Sequence, residues 1–300
     1  MAVTDRPTKT TAPPARQEAS AAGASYDSRT KIFNRVCFGV LLAFALLWLV
    51  PLAWAVDTAF KPNAETTKAP LTWAIEDPTF GAFSRMFQNT DLPSWYLASF
   101  ICSTLTAAAT VLVASMAAFA VSRLRFRGRN LVFWFVLLGI MIPQEVLIVP
   151  LFREFDAFGL LNTYWAVILP QVPTAIAVFI FKQFFDGLPK ELEDAARVDG
   201  ASLMRIYWSI LLPLSRPVVA AVSIFTFVWS WNNLLWPLLV LTNPELMTIP
   251  VGLASVQGSY GIMYADLMAS ALLGGLPLIV LFLLFQRKIV EGIAGTGLKG

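Results

Sequence analysis

The chain has 300 residues, of which 57% are apolar and only 14% charged, with a mean hydropathy of +0.66. Its net charge is only +3, histidine is absent, and its two cysteines, Cys37 and Cys102, each lie inside an apolar run. That composition excludes an ordinary soluble globular protein, His-based acid–base or metal chemistry and a disulfide framework, and no nucleic-acid partner is expected.

Residues 1–28 are rich in Ala, Thr, Pro and Ser with scattered charges, and are expected to form a disordered tail. Residues 29–300 then carry six apolar runs, at about 33–56, 95–122, 131–151, 163–182, 217–242 and 267–286. A helix needs roughly 20 apolar residues to cross about 30 Å of hydrocarbon, and each run is long enough. The first is too long for the apolar core of a signal peptide, so it reads as an uncleaved span. Pro143, Pro150, Pro170, Pro173 and Pro277 fall inside runs, which membrane helices tolerate. The predicted fold is therefore an all-α polytopic membrane protein with six transmembrane helices.

Eighteen of the 22 Lys and Arg residues fall in the N-terminal segment, the two connections after the second and fourth runs, and the C-terminal segment. Only Lys61, Lys68, Arg85 and Arg153 fall on the opposite side. Basic residues accumulate in cytoplasmic loops, so both termini are expected in the cytoplasm of a multi-pass protein of the cell membrane. The outer segment 57–94, with several acids and aromatics, reads as ordered without being a span.

The most informative stretch is the long inner loop 183–216. Pro189 suits a first helical position, and Glu191, Glu193 and Asp194 suit the positive end of a helix dipole. Leu192, Ala195, Ala196 and Val198 give that short helix an apolar surface, ending near Asp199. Gly200 sits where the chain must reverse through a left-handed residue. Ser202 can cap a second short helix carrying Leu203, Ile206, Tyr207 and Trp208. Two such helices either dock in a partner's groove or pack under the bundle. The residues alone leave both readings open.

The run Asp194-Ala195-Ala196, three residues, Gly200, nine residues, then Ile210-Leu-Leu-Pro213 resembles the EAA loop of ABC importer permeases, with Asp194 where that pattern has Glu. Met141-Ile-Pro-Gln-Glu-Val-Leu-Ile-Val-Pro150, Trp231-Asn-Asn-Leu-Leu-Trp-Pro237 and the ending Gly292-Ile-Ala-Gly-Thr-Gly-Leu-Lys-Gly300 resemble the MalG-like, carbohydrate-uptake branch of that family. The resemblance spans nearly the whole chain. It implies a MetI-like transmembrane domain whose loop residues Glu193, Asp194, Ala195, Ala196, Asp199, Gly200, Ile210 and Pro213 couple to an ATP-hydrolysing subunit. It also implies a C-terminal contact with the ATPase dimer through Gly295, Gly297 and Lys299. The implied partners are a second permease subunit in a heterodimer, two ATP-binding cassette subunits, an extracytoplasmic solute-binding protein and the lipid bilayer.

Candidates for a solute path are fewer. Glu145 is an ionisable residue inside the third run, where such a group is costly and usually functional, unless it is wetted or paired. Trp229, Trp231, Asn232, Asn233 and Trp236 cluster within the fifth run. Aromatic faces beside amides suit a sugar, but the same residues also serve as packing and interhelical glue. The outer loop from Thr242 to Asp266 reads as polar, turn-rich and exposed. The family places the binding-protein contact there.

The glycine pattern Gly295-Thr-Gly297-Leu-Lys-Gly300 lacks a preceding strand, so it is no dinucleotide fingerprint. No Walker-type loop occurs either. The chain is therefore expected to have no catalytic residue, metal site or cofactor of its own, with ATP and Mg used by the partner. The expected cargo is a carbohydrate, an oligosaccharide or glycoside. The alternatives are glycerol phosphate carried by a related permease and, more remotely, an ion-coupled secondary transporter, for which no internal repeat is evident.

Overall fold

The structure, a computed structural model, describes the backbone of residues 15–297 except 71 and 260–262, with side chains over 30–256 (71 excepted) and 263–286. Among these residues the chain is helical without a strand. It divides into two compact units, Met1–Ala55 and Val56–Gly300.

The first unit is the body of α1 (Ala15–Ala59). Its stretch Thr30–Ala59 has a mean hydropathy of 2.6. Within that stretch Phe33, Leu41, Leu47 and Trp48 are exposed. The backbone is already helical from Ala15, inside the stretch expected to be a disordered tail. Ala15, Ala19, Ala21, Ala22 and Ala24 favour helix strongly. Residues 1–14 of that tail lie outside the described residues.

The second unit is organised about α4. Before it come α2 (Asn63–Thr66) and α3 (Gly81–Asn89), which order the 57–94 segment. Arg85 of α3 meets Asp266 at 2.5 Å, and the Asn63 side chain accepts from the Ala265 amide at 3.0 Å. Helix α4 (Leu92–Arg123) runs unbroken for 32 residues, about 48 Å at 1.5 Å per residue. Its buried faces are lined by small groups: Ala98, Ser99, Cys102, Ser103, Thr106, Ala107, Thr110, Ala114, Ser115 and Ala118. Small residues let helix backbones approach closely where apolar burial gives no drive against lipid. Helices α8 and α12 pack along α4 on this account.

The elements that follow are mostly broken. α5 (Arg129–Leu138) continues as a tight turn to Met141, then bends by 92° into the Gln144–Ala157 segment that contains α6 (Ile148–Ala157). The third run is thus not the single straight helix expected over 131–151. Ile142 precedes Pro143 and is extended, with φ −86° and ψ 116°, as the proline ring requires of its neighbour. α7 (Tyr164–Ile168) and α8 (Ala175–Asp186) form a second bent pair, at 48°, around Pro170 and Pro173.

The long loop supplies α9 (Glu191–Val198), α10 (Leu203–Ile206), a widened π turn over Tyr207–Leu211, and α11 (Leu212–Leu214). A 77° bend leads from there into α12 (Arg216–Trp231). The fifth run is also broken, because α12 ends at Trp231 and α13 (Leu235–Val240) starts afresh. Pro237 would collide with the carbonyl four residues earlier in a continuous helix, and sits instead in the first turn of the new one.

The loop read as exposed contains α14 (Ile249–Ser259), whose Ile249, Val251 and Leu253 are buried. A Cβ on its Gly252 would lie 2.2 Å from the Trp95 ring, so this helix is seated directly on α4. The correction has a simple cause: that apolar stretch is too short to register as a span.

α15 (Tyr264–Gly297) contains Pro277 without breaking. Proline denies the Leu273 carbonyl its helical donor. Tyr96 Oη supplies one at 2.6 Å, and Trp231 Nε1 donates to the next carbonyl, Gly274, at 3.2 Å. Among the described residues three helical stretches are long and apolar enough to cross a membrane unbroken, and up to six are counted if each bent pair is one span.

Candidate functional site

The loop between α8 and α12 follows its residue pattern at the Gly200 turn and the Ser202 cap, but α9 starts at Glu191, two residues after Pro189, so the proline precedes the helix instead of opening it. Glu191, Glu193 and Asp194 occupy the first turn of α9. At the other end Gly200 has φ +78°. The Gly200 amide donates to Arg197 O at 3.0 Å and the Ala201 amide to Ala196 O at 2.9 Å. This pair of bonds is the Schellman closure of a helix, which needs a left-handed residue at that position. Ser202 Oγ then accepts from the Arg205 amide at 3.3 Å and caps α10.

The loop has two faces. Ile206, Tyr207 and Leu211 are fully buried among Phe119, Phe181, Phe185 and Val222. The Tyr207 hydroxyl and Ser115 Oγ of α4 lie 2.7 Å apart. Burial pushes the Tyr207 phenol above its ordinary pKa, with the Ser115 hydrogen bond pulling the other way. On the other face Leu192, Leu203, Met204 and Trp208 are exposed, and Val198 is 88% exposed. Asp194, Ala195, Asp199 and Gly200 share that exposure, while Ala196, Ile210 and Pro213 are half-buried.

Glu193 departs from this set. It is 5% exposed and points inward, with Oε1 3.0 Å from Nε of Arg123 at the end of α4. The contact is an ion pair without hydrogen-bond alignment. Arg123 had no distinguishing signal in the sequence, where it stands as one of four arginines in a short connection.

The residues considered for a solute path are not brought together as one lining. Trp231 is buried, stacked on Phe227 at 5.7 Å, and its indole N–H is spent on Gly274 O. Trp236 is buried too, donating to Ala166 O at 2.8 Å and meeting Phe155 edge-on. Both are packing groups. Trp229 is 66% exposed, Asn232 is exposed with its amide on Val228 O, and Asn233 is half-buried. Glu145 is exposed in the turn after Pro143.

Gly295 and Gly297 lie in the backbone of α15, whereas Lys299 is outside the described residues. Among the described residues no group of three or more His, Cys, Asp or Glu could hold a metal.

A long helix with small-residue buried faces, jointed apolar helices packed along those faces and a capped helix pair between α8 and α12 define a multi-pass membrane protein. Residues 110–288 match the family described as binding-protein-dependent transport system inner membrane component, and the chain belongs to that family. It is 39% identical over 260 residues to the arabinooligosaccharides transport system permease protein AraQ of Halalkalibacterium halodurans, covering 85% of this chain and 93% of that one. It is 34% identical to the sn-glycerol-3-phosphate transport system permease protein UgpE of Yersinia pestis, covering 87% and 95%. Its fold matches a chain in the crystal structure of a bacterial ABC transporter involved in the import of the acidic polysaccharide alginate. That match has a TM-score of 0.76 at 20% identity, over 86% of this chain and 96% of that one. The family resemblance carried by the 194–213 pattern is thereby borne out.

Proposed function

We propose that the chain is one of two permease subunits in an ATP-driven, binding-protein-dependent importer of a neutral carbohydrate, an oligosaccharide or glycoside. One observation carries the reading: a helix pair locked by the Gly200 closure presents Leu192, Val198, Leu203 and Met204 as an exposed apolar edge beside Asp194 and Ala195. An amphipathic helix of this kind docks in a groove of a partner. Here the partner is the ATP-hydrolysing subunit, which uses ATP and Mg.

The two bent pairs that precede the loop and the broken α12–α13 stretch each count as one span in this proposal, giving with α1, α4 and α15 six crossings with both termini in the cytoplasm. Trp229, Asn232, Asn233 and Glu145 face the second permease, so that the solute passes between the two subunits. Residues 295–299 reach towards the ATPase dimer, and the outer loops meet the binding protein. The chain itself performs no covalent step.

A glycerol-phosphate cargo is the second reading, favoured by the likeness to the Yersinia pestis permease. The electrostatics oppose it. Lys182 of α8 is held by Asp186 at 2.5 Å and lies over the Phe133 ring, and Arg123 is neutralised by Glu193, so neither is available to a phosphate.

The deciding experiment is purification of the chain from its own membrane in mild detergent, followed by mass spectrometry of its companions. Recovery of a second permease, an ATPase and a binding protein supports the importer. The binding protein is then titrated with arabinotriose and with glycerol 3-phosphate to separate the two cargos. A chain that emerges alone, even after cross-linking within 190–205, sinks the proposal.

A further inference from the structure

α9 carries the acidic first turn and the exposed apolar edge, yet it has little of its own with which to move the bundle. Its apolar attachment is through Ala196, packed at the edge of the cluster around Tyr207 and Phe185. Among the described residues, its sole side-chain polar link to the bundle is the Glu193–Arg123 ion pair. Both side chains are deeply buried, at 7% and 3% exposure.

Arg123 does more than neutralise Glu193. Its Nη2 donates to Phe185 O and, at 2.9 Å, to Leu188 O. These carbonyls lie in the last turn of α8 and just beyond it, where a cation is favoured by the helix dipole. One guanidinium therefore joins the end of α4, the end of α8 and the body of α9. α4 and α8 have a second link, because Ser122 Oγ donates to Asp186 at 2.5 Å. For α9 the described residues provide no second polar link.

We infer that the Arg123–Glu193 pair is the tie through which displacement of α9 is passed to α4 and α8, so that the three move as one body. Glu193 is then a positioning residue acting from inside the loop, while Asp194 and Ala195 remain outside. Geometry argues against a merely stabilising role. A buried ion pair is often no better for stability than apolar residues of similar size, and this one stands at the joint between the exposed helix and the bundle. The inference rests on the coupling reading above.

The test uses the whole complex, with spin labels at Lys190→Cys beside α9 and Val113→Cys on the exposed side of α4, after replacing Cys37 and Cys102. Distances are read without nucleotide and after trapping with ATP and vanadate. In the otherwise unaltered complex the separation is expected to stay constant on trapping. In the double variant Arg123→Met/Glu193→Met, which leaves no charge buried alone, it is expected to change by about 2 Å or more, as for a helix shifting against its neighbours. Glu193→Gln, with its shape kept, is expected to show an intermediate shift.

A separation that changes on trapping even with the pair intact overturns the inference. So does a double variant that keeps it constant. If the unaltered chain brings down no ATPase, or traps no nucleotide, the coupling reading itself has failed and the tie with it.

Discussion

Replacing Gly200 by valine isolates the turn between α9 and α10 from every other feature of the loop. A Cβ built there meets no atom within 4 Å, so the first side-chain atom meets no obstacle. The penalty is conformational, since the residue sits at φ +78°. An L-residue in the left-handed region pays about 1–2 kcal/mol, and a β-branched side chain pays at the upper end. Against a domain stability of about 5–15 kcal/mol the bundle survives and the protein still inserts.

The turn itself has no such reserve. A penalty of this size lowers the population of the closed turn roughly 5- to 30-fold, and the Gly200–Arg197 and Ala201–Ala196 bonds open with it. The expected outcome is normal abundance in the membrane with ATP-driven uptake largely lost. The assay is uptake of the sugar retained by the co-purified binding protein, normalised to permease content. Gly200→Asn, which tolerates left-handed backbone, is expected to retain more activity than Gly200→Ala, and Gly200→Val the least. Uptake by Gly200→Val at the level of the native protein would refute the reasoning.

Four further outcomes follow from the packing. Trp231→Phe removes the indole hydrogen bond to the Gly274 carbonyl near Pro277 and is expected to cost about 0.5–1.5 kcal/mol in detergent unfolding. Trp229→Ala, at an exposed position, is expected within about 0.5 kcal/mol of the native protein, so a larger loss there would reverse the assignment of which tryptophan packs. Gly252→Ala drives a methyl into the Trp95 ring 2.2 Å away, and is expected to lower stability by about 1–3 kcal/mol or more and to speed amide exchange across α14. Asn162, at φ 58°, accepts at Oδ1 from the Thr242 amide, the Thr242 hydroxyl and the Asn243 amide. Asn162→Gly relieves the backbone but loses all three bonds, so proteolysis between 241 and 247 is expected to accelerate; unchanged cleavage would show that the clamp is idle.

The apolar runs were legible because hydropathy is a local property, and the Gly200 closure because one residue type at one spacing determines it. Proline was legible as a residue but not as an outcome. Pro277 remains within α15, where Tyr96 and Trp231 reach the carbonyls near it. Pro143 opens a 92° bend. Which proline is met by a donor from another helix depends on packing between segments 43 and 177 residues apart, and no window along the chain contains that. The same holds for Glu193 and Asp194. They are adjacent carboxylates with the same dipole argument, and only the position of Arg123, 70 residues earlier, turns one in and leaves the other out. The sequence left the tryptophan cluster between solute path and packing because shared sequence neighbourhood does not mean shared face: Trp229 is exposed and Trp231 is buried.

The broken helices also bear on how such a chain is made. α12 has 16 residues, about 24 Å of helix, and the Arg129–Met141 piece is shorter still. Each falls short of the roughly 30 Å of hydrocarbon, and backbone opened at a bend is tolerated at membrane depth only where protein covers it. Such pieces gain nothing by entering lipid singly as the ribosome releases them. They must wait beside α4, the shaft already in place, and settle against its small-residue faces as later segments arrive. Synthesis halted between α5 and α8 would leave bare bends for the membrane's proteases to find.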